Sequence, residues 1–384
     1  MLLASKHAKD KSKLDMPDME PKVPLVIRWH LDIPLIIGLL MCLCMSLFVL
    51  YSASGQHIDM LERQVMRTSL AFLAMIITAQ VPPKFMLKFA PIAYIVSLIL
   101  LIMVELFGDI SKGAQRWLDL GIMRLQPSEF LKLAMPLTIA AFFSRETIPP
   151  RNINIVIAFI LLAMPTVLIV LQPDLGTGIL VAVSGFIAIF LAGLSFWWLL
   201  AACAGGAIAL PIMWNYVLHD YQKQRVLTFI NPESDPLGAG YHIIQSKIAI
   251  GSGGIYGKGW LQGSQSQLDF LPEPHTDFIF AVLAEESGLI GFIILMLIYT
   301  FIISRCVYIT LHTRSNFDRI LAGTYTFTIP FYIFINIGMV SGILPVVGVP
   351  LPMISYGGTS MVILGITFGA IMSIHTHRKQ NFFS

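Results

Sequence analysis

One carboxylate in this sequence stands where it could act on a bound substrate. Asp277 lies in LDFLPEPHTDFIFAVLAEESG, residues 268–288, directly before an apolar run. A carboxylate at the start of a helix and at the edge of an apolar environment can serve as a general base. The pattern fits an ordinary helix-start carboxylate as well, with Thr276 as the N-cap and Asp277 in the first turn. Glu285 and Glu286 lie about two turns deeper, where an ionised group usually has a partner or a task.

A second group of candidate residues surrounds the start of an earlier apolar run. Glu129 and Lys132 are three residues apart in LQPSEFLK, so they share one face of a helix. Such a pair either bonds neighbouring helices or lines a polar cavity, and the pattern does not separate the two. Arg116 can bind a phosphate through two hydrogen bonds, and Trp117 suits the level of the lipid headgroups. A simple membrane anchor explains Arg116 and Trp117 almost as well.

A third group is rich in glycine and carries two lysines. Residues 241–261 read YHIIQSKIAIGSGGIYGKGWL and include Lys247 and Lys258. Glycines at this density permit positive φ angles and let backbone N–H groups approach an anion closely. A phosphate or pyrophosphate cradle and a compact loop with tight turns fit the segment equally. The nucleotide-binding fingerprint GxxxxGK[ST] is absent from the sequence.

These side chains must be positioned by membrane-spanning helices, because the composition is not that of a water-soluble protein. Of 384 residues, 56% are hydrophobic and 12% are charged, whereas globular proteins carry about 25% charged residues. Since about 20 apolar residues form one span, the charge-free intervals predict an all-α polytopic integral membrane protein with about ten transmembrane helices. The predicted spans are residues 33–53, 63–82, 86–107, 128–144, 153–171, 176–193, 196–217, 277–304, 319–343 and 354–375.

The distribution of Lys and Arg predicts how these helices are oriented. Basic residues are concentrated in the two tails and in the connections on the same side, so both termini are predicted to be cytoplasmic. The predicted domains are a cytoplasmic tail at 1–29, a ten-span membrane domain at 30–376 and a cytoplasmic tail at 377–384. The long connections 108–127 and 218–276 then face outward, and the second is predicted to be a large structured loop.

A proline- and glycine-rich segment interrupts the last apolar region. Residues 342–360 read GILPVVGVPLPMISYGGTS. Irregular backbone at membrane depth is tolerated only where it is buried in protein or lines a cavity. The segment is therefore predicted to pack as a re-entrant element around a site.

Charge and cysteine usage exclude other classes of protein. The 25 basic and 22 acidic residues give a formal net charge of +3, which is too balanced for a nucleic-acid-binding surface. The four cysteines lie in or beside apolar runs, so neither a disulfide framework nor a zinc site is predicted. The sequence predicts no cofactor and leaves a dependence on divalent cations open.

Five sequence blocks, taken in order, resemble the SEDS family of shape, elongation, division and sporulation proteins. The blocks are RWLDLG, LQPSEFLK, QPDLGTG, AIGSGGIYGKGWLQGSQSQLDFLPEPHTDFIFAVLAEE and PVVGVPLPMISYGGTS. The resemblance extends over essentially all the predicted spans. The short tails and the wording GSQSQLDFLPEPHTDF are most similar to members that act in cell elongation and rod-shape maintenance, and a division-specific member is the alternative.

The resemblance implies a peptidoglycan glycosyltransferase in the bacterial cytoplasmic (inner) membrane. Its substrate would be lipid II, the undecaprenyl-pyrophosphate-linked disaccharide-peptide, and its protein partner a class B penicillin-binding transpeptidase of the elongation machinery. By the motif match, Asp277 takes the family's catalytic aspartate position. Glu129 and Lys132 fall on its QPSExxK motif, and Arg116 and Trp117 on its RW motif.

The implied chemistry needs one base and a cationic site for the leaving group. Asp277 would deprotonate the acceptor 4-hydroxyl as it attacks the donor's anomeric carbon, while undecaprenyl pyrophosphate leaves. Arg116, Lys247 and Lys258 are the outward cations predicted near that pyrophosphate.

Two other classes of function fit the helix count. A lipid II flippase or other transporter would also use broken helices and intramembrane charges, but it should gather its polar residues near the bilayer midplane. In this sequence they cluster toward the outer side. A membrane scaffold for cell-wall enzymes would not need Asp277.

Overall fold

The computed structural model describes residues 29–111, 114–119, 124–172, 174–218, 220–235, 238–268, 270–271 and 273–383. Apart from its last residue, the predicted N-terminal tail lies outside this part of the chain. The predicted C-terminal tail begins as a continuation of the last helix. The helices are α1 (Ile33–Ala53), α2 (Ile58–Gln80), α3 (Pro83–Phe107), α4 (Pro127–Phe143), α5 (Asn152–Leu171), α6 (Leu175–Leu191), α7 (Phe196–Ile212), α8 (Asp220–Ile230), α9 (Ala239–Gly253), α10 (Ser264–Gln267), α11 (Ile279–Leu311), α12 (Asn316–Val340) and α13 (Thr359–Phe383).

Seven of the described helices are long and apolar enough to cross a membrane, so the chain is a multi-pass membrane protein. They are α1, α3, α5, α7 with its extension to Tyr216, α11, α12 and α13. Three more long helices coincide with predicted spans. Of these, α6 is apolar but has 17 residues, α4 also has 17 residues and carries Glu129 and Lys132, and α2 is charged in its first half.

Local sequence explains where several of these helices begin. The Asp32 carboxylate accepts the Leu35 N–H at 3.1 Å and caps α1. The Asp174 carboxylate accepts the Thr177 N–H at 3.3 Å and caps α6 in the same way. Side-chain oxygens at this position satisfy N–H groups that the helix itself leaves without partners.

A small antiparallel sheet connects α3 to α4. Its strands are β1 (Asp109–Ser111), β2 (Ala114–Asp119) and β3 (Arg124–Leu125), in the order β1-β2-β3. The all-α prediction omitted this sheet, because strands of two to six residues are too short for an alternating pattern to reveal.

Close helix packing depends on glycines in α13. A Cβ atom on Gly365 would lie 2.3 Å from the Ala71 carbonyl oxygen of α2, and one on Gly369 would lie 2.4 Å from the Met75 carbonyl oxygen. Small residues four apart allow two membrane helices to approach backbone to backbone. The last helix is therefore held directly against α2.

The connection from α7 to α11 corresponds to the loop predicted at residues 218–276. It contains α8, α9 and α10. Helix α9 packs against α11, and its buried side includes Ile243, Ser246 and Ala249. The Ser246 hydroxyl donates to the Val340 carbonyl at 2.8 Å, which ties this connection to the end of α12.

The middle of the irregular segment between α12 and α13 is buried and accepts hydrogen bonds from neighbouring helices. Leu351, Ile354 and Ser355 are each at most 2% exposed. The Asn336 amide of α12 donates to the Val349 carbonyl at 2.7 Å. The Tyr299 hydroxyl of α11 donates to the Pro352 carbonyl at 2.6 Å. These bonds give partners to backbone carbonyls that, outside a helix, have no helical hydrogen bond.

Candidate active site

A polar cavity of about 430 Å³ lies where several helices begin. Four predicted site residues, Trp117, Glu129, Lys132 and Asp277, line it together. Its wall also includes residues 346–350 of the irregular segment, which confirms the prediction that this backbone lines a cavity. Further lining residues are Gln126, Asp174, Thr177, Arg225, His242, Glu273, Thr359 and Ser360.

The turn that carries Asp277 is fixed by distant parts of the chain. The Asp277 carbonyl accepts a hydrogen bond from the Asn336 amide at 3.0 Å. The Thr276 carbonyl accepts one from the Ser355 hydroxyl at 2.6 Å. Helix α11 begins only at Ile279, so the prediction that Thr276 caps the helix and Asp277 lies in its first turn is wrong. Asp277 instead lies in a turn that is hydrogen-bonded to α12 through Asn336 and to the segment between α12 and α13 through Ser355.

The Asp277 carboxylate lies beside a glycine of the irregular segment. A Cβ atom on Gly348 would be 3.4 Å from Asp277 Oδ2, and Gly348 has a φ of 75°, a conformation that favours glycine. Asp277 is partly exposed, whereas the next residue, Phe278, is only 4% exposed. The carboxylate is therefore accessible from the cavity, while its neighbour packs into the core.

Glu129 and Lys132 form an ion pair in the cavity wall. The Lys132 ammonium donates to Glu129 Oε1, and the two side chains are 8% and 9% exposed. The ammonium also lies 5.7 Å from the centre of the Tyr332 ring. The other carboxylate oxygen, Glu129 Oε2, is buried and has no hydrogen-bond partner among the described residues. Of the two interpretations open at the sequence level, the cavity-lining one is confirmed.

Sequence reasoning missed several residues of this cavity. Arg225 of α8 donates from Nη1 to the Val346 carbonyl at 3.2 Å, so it joins α8 to the irregular segment. The Asp174 carboxylate accepts from the Gln126 amide at 3.0 Å. Asp174 lay within the QPDLGTG block, which could have indicated it. Arg225 has no such neighbouring motif.

Burial controls the charge of the histidines near the cavity. Burial lowers the pKa of His242, although the carboxylates of Glu273 and Asp235 act in the opposite direction. Burial also lowers the pKa of His275, again against Glu273. Both imidazoles are therefore neutral at pH 7. The described cations that line the cavity at this pH are Lys132 and Arg225.

Lys258 lies elsewhere and already has a buried partner. Its ammonium contacts Glu285 Oε1 and the Ser264 hydroxyl, each at 2.7 Å. Glu285 is 0% exposed, and Glu286 accepts a hydrogen bond from Ser52. Both glutamates thus have the partners expected of buried carboxylates. Lys258 does not line the cavity beside Asp277, and its charge neutralises Glu285.

The glycines around Lys258 allow this segment to pack closely against the backbone of α11. Helix α11 is broken at Gly288, where φ is 61°. A Cβ on Gly253 would lie 2.0 Å from the Ala284 carbonyl oxygen, and one on Gly257 would lie 2.0 Å from that of Glu286. The Gly259 N–H donates to the Glu286 carbonyl at 3.0 Å. The close approach is therefore to the protein's own helix, which favours the compact-loop interpretation over an anion cradle.

The other two predicted cations are Arg116 and Lys247, of which Lys247 does not line the described cavity. The aliphatic part of exposed Lys247 packs over Gly342, where a Cβ would lie 2.2 Å from Lys247 Cε. The backbone of Arg116 belongs to β2, next to Trp117, but its side chain lies outside the described part of the structure. Within the described residues, no group of three or more His, Cys, Asp or Glu side chains is arranged to hold a metal ion.

The fold and the cavity together define a multi-pass helical membrane protein with a charged site at one end of its helices. Residues 25–380 match the cell cycle protein family FtsW/RodA/SpoVE. The chain belongs to this family, which confirms the resemblance drawn from the five sequence blocks.

Named relatives agree with this assignment. The chain is 55% identical over 367 residues to the peptidoglycan glycosyltransferase MrdB of Escherichia coli (strain K12), covering 95% of this chain and 99% of that protein. A chain in a structure of a peptidoglycan synthase complex that coordinates polymerization and crosslinking matches with a TM-score of 0.78 and 30% identity, covering 91% and 98%. The crystal structure of the rod shape determining protein RodA of Thermus thermophilus matches with a TM-score of 0.67 and 26% identity, covering 91% and 97%.

Proposed function

We propose that this chain is a peptidoglycan glycosyltransferase that joins lipid II units into glycan strands during cell elongation. The observation that carries the proposal is the convergence of Asp277, Glu129, Lys132 and Trp117 on one polar cavity. Near-complete alignment with MrdB at 55% identity supports the activity. The similarity to the rod shape determining protein RodA favours an elongation role over the division-specific alternative.

In the proposed reaction, Asp277 acts as the general base. It takes the proton of the acceptor 4-hydroxyl as that oxygen bonds to the anomeric carbon of the donor sugar. The bond from the same carbon to the pyrophosphate oxygen breaks, and undecaprenyl pyrophosphate leaves with the electron pair. A pyrophosphate is already a good leaving group, so a second catalytic carboxylate is not required.

Cations of the cavity stabilise the leaving group. Lys132 and Arg225 line the space next to Asp277, and Arg116 is a third candidate because it adjoins Trp117 in β2. Fixed positive charges aimed at a developing negative charge lower the barrier most when water is excluded. Lys247 and Lys258 were predicted for the same role, but their positions support loop packing better.

We place this cavity on the outer face of the cytoplasmic membrane, in a ten-span topology. The cavity is lined by residues at the starts of α4, α6 and α13 and in the turn before α11. When only the long helices of the described chain are counted, these are the fourth, sixth, tenth and eighth. They begin on the same side of the membrane only if every long helix between them crosses the membrane. The excess of Lys and Arg on the opposite side puts both termini in the cytoplasm.

The proposed partner is a class B penicillin-binding transpeptidase. The matching chain from a complex that coordinates polymerization with crosslinking supports a two-enzyme assembly. No organic cofactor is needed for the reaction as written. Whether divalent cations bridge the pyrophosphate is decided by measuring activity after chelation and after adding Mg²⁺ back.

The direct test is polymerisation of lipid II by the purified protein, with and without the transpeptidase. Glycan strands longer than the starting disaccharide support the proposal, and they should be more abundant with the partner. The proposal would be overturned if lipid II stayed unchanged under both conditions while a thermal unfolding curve showed that the protein was folded. A flippase would instead move labelled lipid II across vesicles without lengthening it.

A further inference from the structure

A groove that encloses a second cavity of about 670 Å³ opens between α3 and α4. It lies at the end of these helices opposite the Asp277 cavity. Lys84 and Lys88 lie in the first two turns of α3, and Arg145 follows the end of α4. Lys132, at the other end of α4, is 13 residues before Arg145, or about 20 Å along the helix axis. The two cavities are therefore separate.

The mouth of this groove is positively charged. Lys84, Lys88 and Arg145 are all exposed, and none of them takes part in the ion pairs found within the described residues. No described side chain caps the start of α3. The dipole of α3 adds to the positive potential there. The mouth is thus suited to an anion.

The floor of the groove is apolar. Its lining continues from the lysines to Leu87, Pro91, Ile95, Ala141, Phe142 and Leu161. Two polar groups in the floor are used internally: the Tyr94 hydroxyl donates to the Leu161 carbonyl at 2.7 Å, and the Thr138 hydroxyl donates to the Ala134 carbonyl at 2.6 Å. Hydrocarbon therefore suits this floor better than water.

The groove also has the shape of a lipid site. Lys84, Lys88, Pro91 and Ile95 follow one face of α3 and cover about 16 Å along its axis. Ile95 is 55% exposed, so the apolar end opens to the surface that would face the bilayer. The charged end and the apolar end lie in the order that an anionic headgroup and its acyl chain would require.

We propose that this groove binds one anionic phospholipid from the leaflet opposite Asp277. The lipid phosphate lies between Lys84, Lys88 and Arg145, and an acyl chain follows α3 past Pro91 to Ile95. Basic pockets between transmembrane helices bind anionic headgroups in this way. The binding does not depend on glycosyltransferase activity.

The test is lipid titration of the full-length protein in a neutral detergent, followed by native mass spectrometry. Phosphatidylglycerol and phosphatidylcholine with identical acyl chains are compared, and phosphatidylglycerol should bind more tightly. The variant Lys88→Gln/Arg145→Gln should weaken binding of phosphatidylglycerol by about 25-fold, since each cation near an anionic surface contributes about fivefold. Binding of phosphatidylcholine should change little.

A matched control removes the same charge elsewhere on the same side. Arg151 and Arg319 are exposed, lie at the starts of α5 and α12, and do not line the groove. Arg151→Gln/Arg319→Gln should keep the affinity for phosphatidylglycerol. Equal weakening in both double variants would show general headgroup attraction and overturn the proposed site.

A second measurement uses the wild-type protein and does not depend on the stability of a variant. A phosphatidylglycerol with a photoreactive acyl chain should label peptides from α3 and α4 near Ile95 and Ala141. Ala141→Phe narrows the groove while leaving its cations in place, and it should reduce this labelling severalfold. Labelling spread evenly over all apolar helices, or labelling that Ala141→Phe does not alter, would also overturn the proposal.

Discussion

The buried pair formed by Glu129 and Lys132 allows a quantitative prediction. Their side chains are only 9% and 8% exposed, so removing either partner leaves a charge in a low-dielectric site. Breaking a buried ion pair in this way costs about 3–5 kcal/mol in the free energy of unfolding. Glu129→Gln and Lys132→Met should each fall in this range. The double variant should cost less than their sum, with a coupling energy of about 2–3 kcal/mol.

The assay is a double-mutant cycle on purified protein. Unfolding free energies and lipid II polymerisation rates are measured for the wild type, both single variants and the double variant. The double variant should be less destabilised than the sum of the two single variants but should stay inactive, because Lys132 is lost from the proposed pyrophosphate site. Additive effects on stability would show that Glu129 and Lys132 do not interact, and full activity of the double variant would remove Lys132 from the mechanism.

Three further predictions separate the cavity from the elements that support it. Arg225→Gln should reduce polymerisation at saturating lipid II with little change in melting temperature, whereas Lys258→Gln should lower the melting temperature, because Lys258 pairs with buried Glu285. Gly365→Ala should destabilise the fold by about 1–3 kcal/mol in thermal or denaturant unfolding, since its methyl group would meet a backbone carbonyl of α2. Because burial lowers the pKa of His242, the unfolded chain binds a proton more readily. Stability should therefore fall as the pH drops below about 6.5, and less so in His242→Gln.

Each of these predictions has a result that would contradict it. If Lys258→Gln lost turnover at an unchanged melting temperature, the result would contradict the structural role of Lys258 and support a role in binding the substrate. A wild-type melting temperature for Gly365→Ala would mean that α2 and α13 are not in close contact. An identical pH dependence of stability in His242→Gln and the wild type would show that His242 is not responsible.

The helices were predictable because charge and apolar length are local properties. The interval predicted as residues 33–53 coincides with α1, which the carboxylate of Asp32 caps. The residues that line the Asp277 cavity were predictable only where a motif contained them. Asp277 and Glu129 belong to such motifs, whereas Arg225 reaches the cavity through a bond to the carbonyl of Val346, far away in the sequence.

Two of the errors arise from tertiary contacts that the local sequence does not show. The residues before α11 have a helix-start pattern, but the carbonyl oxygens of Thr276 and Asp277 are bonded to Ser355 and Asn336. The helix therefore begins later than the pattern predicts. In the same way, glycine density around Lys258 indicated a close approach of backbone without revealing that the approaching partner is the break in α11.

The role of Asp277 is tested most directly by Asp277→Asn in the lipid II polymerisation assay. The amide keeps the size of the side chain and removes the base, so the rate should fall by about 10² to 10⁴-fold while the melting temperature stays near that of the wild type. Asp59→Asn is the matched control, because Asp59 is an exposed carboxylate in the first turn of α2 that does not line the cavity. Its rate should be unchanged. A wild-type polymerisation rate for folded Asp277→Asn would contradict the assignment of Asp277 as the catalytic base.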